Sequence, residues 1–204
     1  MADPMNFRTT SRSLLALVLL ASAAAAQDKG NSGPVAAKPS PVRFVIEGGF
    51  DMGGDDFLEL TFTNGDTQTI TAGQGGTIAA GLQFMPASMP RFSVSGTVGY
   101  KFTTTAAENA DIMFTRIPVE IVGRYKLNQD WFVGAGVVRH NSIHLDGDGF
   151  VPNADFDAAT GATFELGWRW AALTFNAIDY KDAAGTSFSG GSVGVNFRWV
   201  SGKK

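Results

Sequence analysis

From Val42 onward the chain alternates between apolar and polar positions. In Ser192-Val193-Gly194-Val195-Asn196-Phe197-Arg198-Trp199 one parity is apolar and turns aromatic toward its end, while Ser192, Gly194, Asn196 and Arg198 are polar or small. A period of two predicts a strand whose faces meet different surroundings. The rhythm recurs in seven earlier segments. Arg43 to Met52 sets Phe44, Ile46, Phe50 and Met52 against Arg43, Glu47, Gly49 and Asp51. Thr77 to Phe84 sets Ile78, Ala80, Leu82 and Phe84 against Thr77, Ala79, Gly81 and Gln83. Phe92 to Phe102 opposes Val94, Val98 and Tyr100 to Ser93, Ser95, Thr97, Gly99 and Lys101. The clearest case is Asp111 to Leu127, with Met113, Ile117, Val119, Ile121 and Tyr125 on one face and Arg116, Glu120, Arg124 and Lys126 on the other. Trp131 to Asn141, Ala158 to Trp168 (Phe164 and Leu166 against Thr163 and Glu165) and Leu173 to Tyr180 complete eight strands.

The connections fall into two kinds. Pro86 and Pro90 bracket one short link, Asn128-Gln129-Asp130 is a tight turn, and Arg169-Trp170-Ala171 turns without Gly, Pro or Asn, which leaves its type open. The other links are longer. One contains Leu58 to Thr71, where Asn64-Gly65 between alternating residues predicts a β-hairpin with a type I′ turn. That hairpin reads either as a rigid cap on the barrel mouth or as a surface for adhesion. Pro118 lacks a ladder donor and predicts a bulge or kink nearby. Arg139 continues an outward apolar parity, so its strand either leaves the membrane there or bulges.

Ahead of the strands, Arg8 and Arg12 precede the apolar run Leu14 to Leu20 and the small residues Ala21 to Ala26. That order predicts a cleaved signal peptide over 1–26. The apolar run is well short of the ~20 residues a spanning helix needs. Met1 to Pro4, ahead of a second methionine at Met5, reads as an expression scar. Residues 27–41 are polar and rich in Pro and Gly, which predicts a flexible periplasmic tail. Residues 42–204 make one domain.

Composition decides which kind of barrel this is. Charged residues are 17% of the chain, against ~25% in a typical soluble domain, and there are 25 glycines. A barrel that is dry inside and wet outside needs a charged outer parity, whereas here the polar parity is Gly, Ser, Thr and Ala with isolated charges. Lipid outside and polar groups inside describe a transmembrane barrel. The expected fold is therefore all-β, an eight-stranded antiparallel up-and-down transmembrane β-barrel. Its narrow lumen should hold an ion-pair network of Glu47, Asp51, Lys101, Arg116, Glu120, Arg124, Glu165 and Arg198. With no cysteine, disulfides are excluded, and a net charge of -3 offers no basic patch for nucleic acid.

Two resemblances add to this. The polar-then-Gly pattern of Ser192 and Gly194, followed by Phe197 and Trp199, resembles the C-terminal signal by which bacteria recognise outer-membrane barrels for assembly. Thr115-Arg116-Ile117-Pro118-Val119-Glu120, Val133-Gly134-Ala135-Gly136-Val137 and Ala177-Ile178-Asp179-Tyr180-Lys181 resemble small bacterial outer-membrane barrels of the group containing the OmpA transmembrane domain, the opacity proteins and OmpW-like porins. The resemblance implies an outer-membrane location and a monomer. Outer-membrane lipids, lipopolysaccharide, periplasmic chaperones and the barrel assembly machinery are the implied partners. It leaves open a structural or surface-interaction role and small-solute passage.

A hydrolase is the competing class. His140-Asn141-Ser142 matches the H-x-S element of lipid A deacylases, and alternate strand residues share a face. Parity counts against it, since His140 and Ser142 then point inward with Gly134 and Gly136, away from lipid. Asp146-Gly147-Asp148-Gly149 and Asp55-Asp56 lack the spacing and closing Glu of a calcium loop and read as turns. No catalytic residue, metal or cofactor is expected.

Overall fold

The computed structural model describes residues 40–61, 65, 67–104, 111–182 and 184–202. The expected signal peptide, most of the tail and part of the Asn64-Gly65 turn lie outside the described residues. Thirteen strands follow in order: β1 (Val42–Met52), β2 (Asp56–Thr61), β3 (Thr67–Thr71), β4 (Gly75–Phe84), β5 (Phe92–Thr104), β6 (Met113–Lys126), β7 (Trp131–Asp146), β8 (Ala154–Phe156), β9 (Ala159–Trp168), β10 (Ala171–Ala177), β11 (Asp179–Lys181), β12 (Ser187–Ser189) and β13 (Ser192–Val200). Eight of them, β1, β4, β5, β6, β7, β9, β10 and β13, pair antiparallel around a ring that the β1–β13 ladder helps to close. The barrel is closed and has no free edge in its wall.

The alternation explains which face is which. The outward parity carries Phe50, Ile78, Val98, Ile121, Leu173 and Trp199, and Ile78 and Ile121 are 66% and 60% exposed. The inward parity carries Glu47, Ser95, Thr97, Lys101, Arg116, Arg124, Thr163 and Glu165, all buried. Polar inside and apolar outside inverts the arrangement of a water-soluble barrel.

The short links gather at one end, together with the start of β1 and the end of β13. Residues 85–91 join β4 to β5. In the turn after β6, Asn128 Oδ1 accepts from the N–H groups of Asp130 (2.9 Å) and Trp131 (2.8 Å). The open turn type between β9 and β10 resolves as a two-residue loop, Arg169-Trp170, with Arg169 at φ 55°. A side chain other than Gly tolerates that conformation here because the turn is held from outside. The Arg169 N–H donates to Asp130 O (2.7 Å) and its Nε to Asp130 Oδ1 (2.8 Å).

At the other end β7 outruns its expected length, continuing from Asn141 to Asp146. Its ladder with β6 shifts register between Thr115 and Ile117, opposite Arg116, and Ser142 takes a φ of 48°. This is a bulge, two pairs from Pro118, and the β5–β6 ladder also omits the Gly99–Pro118 pair. β10 is shorter than expected. It stops at Ala177, and Tyr180 belongs to a separate β11–β12 ribbon. The β2–β3 hairpin is present. Its Ile70 joins Ala72, Ile112, Phe114, Val138, Ile143, Leu145, Ala159, Ile178 and Tyr180 in one buried apolar cluster, with Phe156 and Phe188 against it. That cluster sits where the longer links converge and forms an apolar cap.

Candidate functional site

Among the described residues buried charge gathers in the lumen, where it lies in two layers. Toward the short-turn end, Arg124 of β6, Gly134 of β7 and Glu165 of β9 stand in one row across three adjacent strands. Two strand spacings, about 9.5 Å, separate Arg124 from Glu165. Only long side chains passing over a vacant middle position can span that. Gly134 supplies the vacancy, since a Cβ there would lie 2.7 Å from Glu165 Oε2 and 3.2 Å from Arg124 Cγ. The resulting pair is two-pronged, Nε to Oε2 at 2.5 Å and Nη2 to Oε1 at 2.7 Å. Such fork-to-fork contacts combine charge with fixed geometry. Across the lumen Arg124 Nη2 also reaches Glu47 Oε1 at 3.2 Å, and Nη1 donates to Ser95 Oγ.

The second layer lies under the apolar cap. Lys101 Nζ pairs with Asp51 Oδ2 at 2.7 Å and donates to Gly73 O at 2.9 Å. Arg116, completely buried, donates to Ala72 O (2.5 Å), to Gln74 O and to Tyr180 Oη (3.4 Å). Its guanidinium lies 4.2 Å from the centre of the Phe114 ring. Tyr180 Oη in turn shares a 2.6 Å hydrogen bond with His140 Nδ1. Three consecutive carbonyls, Ala72, Gly73 and Gln74, thus enter the barrel mouth and are held by two cations. Gly73 has no room for a side chain, since a Cβ would meet three carbonyl oxygens at 2.7 Å.

Not every expected member of the network forms an ion pair. Arg116 bonds to backbone carbonyls and hydroxyls instead of a carboxylate, because the turn after β3 reaches it first. Glu120 makes no ion pair among the described residues. It lines a cavity of about 30 Å³ between the layers, beside Asp51 and Glu165. That is space enough for a water molecule. Arg198, though register-paired with Glu47, makes no ion pair among the described residues and lies 5.0 Å over the Phe132 ring. On β13, Ser192 is buried and Phe197 and Trp199 are exposed, while Gly194 lies against Asp51.

The bulge separates the two residues of the H-x-S element. His140 is buried in the lumen against Tyr180, whereas Ser142 is exposed, so the expectation that both point inward fails at Ser142. Residue counting assumed an unbroken ladder, and the extra residue turns the hydroxyl outward. His144 instead meets Asp155 at 2.6 Å on the exposed part of β7. Among the described residues no group of three metal-ligating side chains converges.

His140 points inward as parity predicts, while sequence reasoning missed its Tyr180 partner and the 72–74 carbonyls. The run Gly73-Gln74-Gly75-Gly76 was the available signal, since clustered glycines mark close backbone approach.

Among the solved structures similar to this chain are two of one protein. One is Ail, the attachment invasion locus protein of Yersinia pestis, at 8% identity, covering 78% of this chain and 97% of that one, with a TM-score of 0.39. The other is Ail in complex with the heparin analogue sucrose octasulfate, at 10% identity over the same shares and the same TM-score. No protein-family model matches the chain, and a search of curated proteins gave no match.

Proposed function

We propose that this chain is a bacterial outer-membrane barrel of the OmpA, opacity and OmpW-like kind, monomeric, with a closed lumen and a structural or surface-interaction role. The observation that carries the reading is the pairing of an apolar outer belt with a lumen filled by two charged layers and an apolar cap. A belt of exposed Phe, Ile, Val and Leu is unfavourable in water and favourable in lipid. A closed ring satisfies every wall amide within the hydrocarbon, where irregular edges are not tolerated. Outer-membrane lipids and lipopolysaccharide would then surround it, and β13 would carry the signal read by periplasmic chaperones and the barrel assembly machinery. Exposed carboxylates crowd the long-link end, among them Asp55, Asp56, Asp111, Asp146, Asp155 and Asp157, and make that end the interaction surface.

The test is reconstitution of the chain in planar bilayers, with cysteines placed near Asp148 and Gln129 for labelling in intact cells. Negligible conductance, with labelling near Asp148 alone, is expected. A steady large conductance would replace the plug with a small-solute porin, and labelling near Gln129 from outside would invert the orientation.

A further inference from the structure

The short-turn rim holds a second concentration of chemistry that the plugged lumen does not use. A cavity of about 360 Å³ opens there. That is the size of small-ligand sites. Its wall carries five cations, Arg43, Arg124, Lys126, Arg169 and Arg198, and one acid, Asp130. Arg124 is neutralised by Glu47 and Glu165, and Arg169 by Asp130. Arg43, Lys126 and Arg198 make no ion pair among the described residues. Arg198 is the most firmly placed of the three. Its N–H donates to Trp170 O (2.7 Å), its guanidinium rests on Phe132, and its Nη1 is buried without a hydrogen-bond partner. A charged donor buried without a protein acceptor is an arrangement that an incoming acceptor, a phosphate oxygen among them, would relieve.

All four tryptophans of the chain lie at this rim. Trp131, Trp170 and Trp199 line the cavity, and Trp168 lies under the Arg169 guanidinium at 4.6 Å. Tryptophans collect where hydrocarbon gives way to headgroups. Resting on the membrane reading above, this sets the rim at headgroup depth, where the fixed anion is a phosphodiester. We propose that this rim is a binding site for a phosphate ester, with Arg198 as its deep anchor and Arg43 and Lys126 closing over the oxygens. Guanidinium suits this task because its planar fork matches phosphate geometry.

The tryptophans report on the site directly. The full chain, folded in zwitterionic detergent without phosphate, is titrated with inorganic phosphate while tryptophan emission is followed. The same protein is then placed in nanodiscs of phosphatidylglycerol or of a phosphate-free galactolipid. Saturable emission changes are expected with phosphate and with phosphatidylglycerol but not with galactolipid. Arg198→Gln should weaken the apparent affinity by about tenfold or more. Arg43→Gln with Lys126→Gln, at a half-buried and an exposed position, provides the second variant should Arg198→Gln fail to fold, and is expected to weaken binding as well. A response to phosphatidylglycerol alone would assign the site to lipid, and a response to inorganic phosphate alone would assign it to a soluble ester. No saturable response to either, or affinity unchanged in both variants, overturns the site. A chain that binds phosphate in detergent yet does not partition into membranes would instead refute the membrane reading and leave the site standing.

Discussion

Arg124→Met removes the hub of the lower charged layer while keeping much of the side-chain volume. Three ion contacts go with it, at 2.5, 2.7 and 3.2 Å, and two buried carboxylates, Glu47 and Glu165, are left facing the space. Removing one partner of a buried pair typically costs about 3–5 kcal/mol, because the remaining charge loses both its partner and its water. That corresponds to a folding constant reduced roughly a hundredfold to several thousandfold. Replacing all three groups together, Glu47→Gln, Arg124→Met and Glu165→Gln, leaves no orphaned charge and should recover most of the loss. The assay is reversible urea unfolding of the full chain in lipid vesicles, followed by tryptophan emission in both directions. A single variant that loses less than ~1 kcal/mol would mean that water reaches the carboxylates freely and that the lumen is not packed as described. A triple variant no better than the single one would refute the pairing account itself.

Two other outcomes are expected. Val119→Arg, on the outward face of β6, should cost about 2–4 kcal/mol in lipid near the midplane, whereas Val122→Thr, turned into the polar lumen, should cost clearly less; equal sensitivity in vesicle unfolding would reverse the inside and outside assignment. Tyr180→Phe strips the hydroxyl shared by Arg116 and His140 and should cost about 1–3 kcal/mol, with faster amide exchange at Ala72 to Gln74; unchanged exchange there would detach the cap from the lumen.

The barrel wall was readable from the sequence because the outer face and the lumen impose opposite demands on alternate residues. Phe44, Ile78, Val119 and Phe164 needed nothing beyond parity to be placed outward. Which charge meets which was not readable. Arg124 meets Glu165 because Gly134 lies between them in register, and register depends on three strands at once. Glu120 belongs to the same strand and parity as Arg124, yet its row faces the small cavity. Alternation carries the seventh wall strand on to Tyr180, but the chain breaks at Ile178 and swings the ring onto Arg116. A resemblance in short stretches carried the fold and said nothing about these contacts.

The bulge at Ser142 works as a phase change in the code of β7. Below it even-numbered residues such as Phe132, Val138 and His140 point in; above it Ile143 and Leu145 do. One strand is therefore written in two reading frames, the first addressed to the barrel wall and the second to the cap. Substitutions in the loops that alter the upper frame leave the lower one intact, so the exposed end can diversify without rewriting the wall. Deleting Ser142 would remove the bulge and leave Ile143 and Leu145 facing the cap, whereas flattening the bulge with the residue kept would turn them out and draw polar Ser142 and His144 into the apolar cluster.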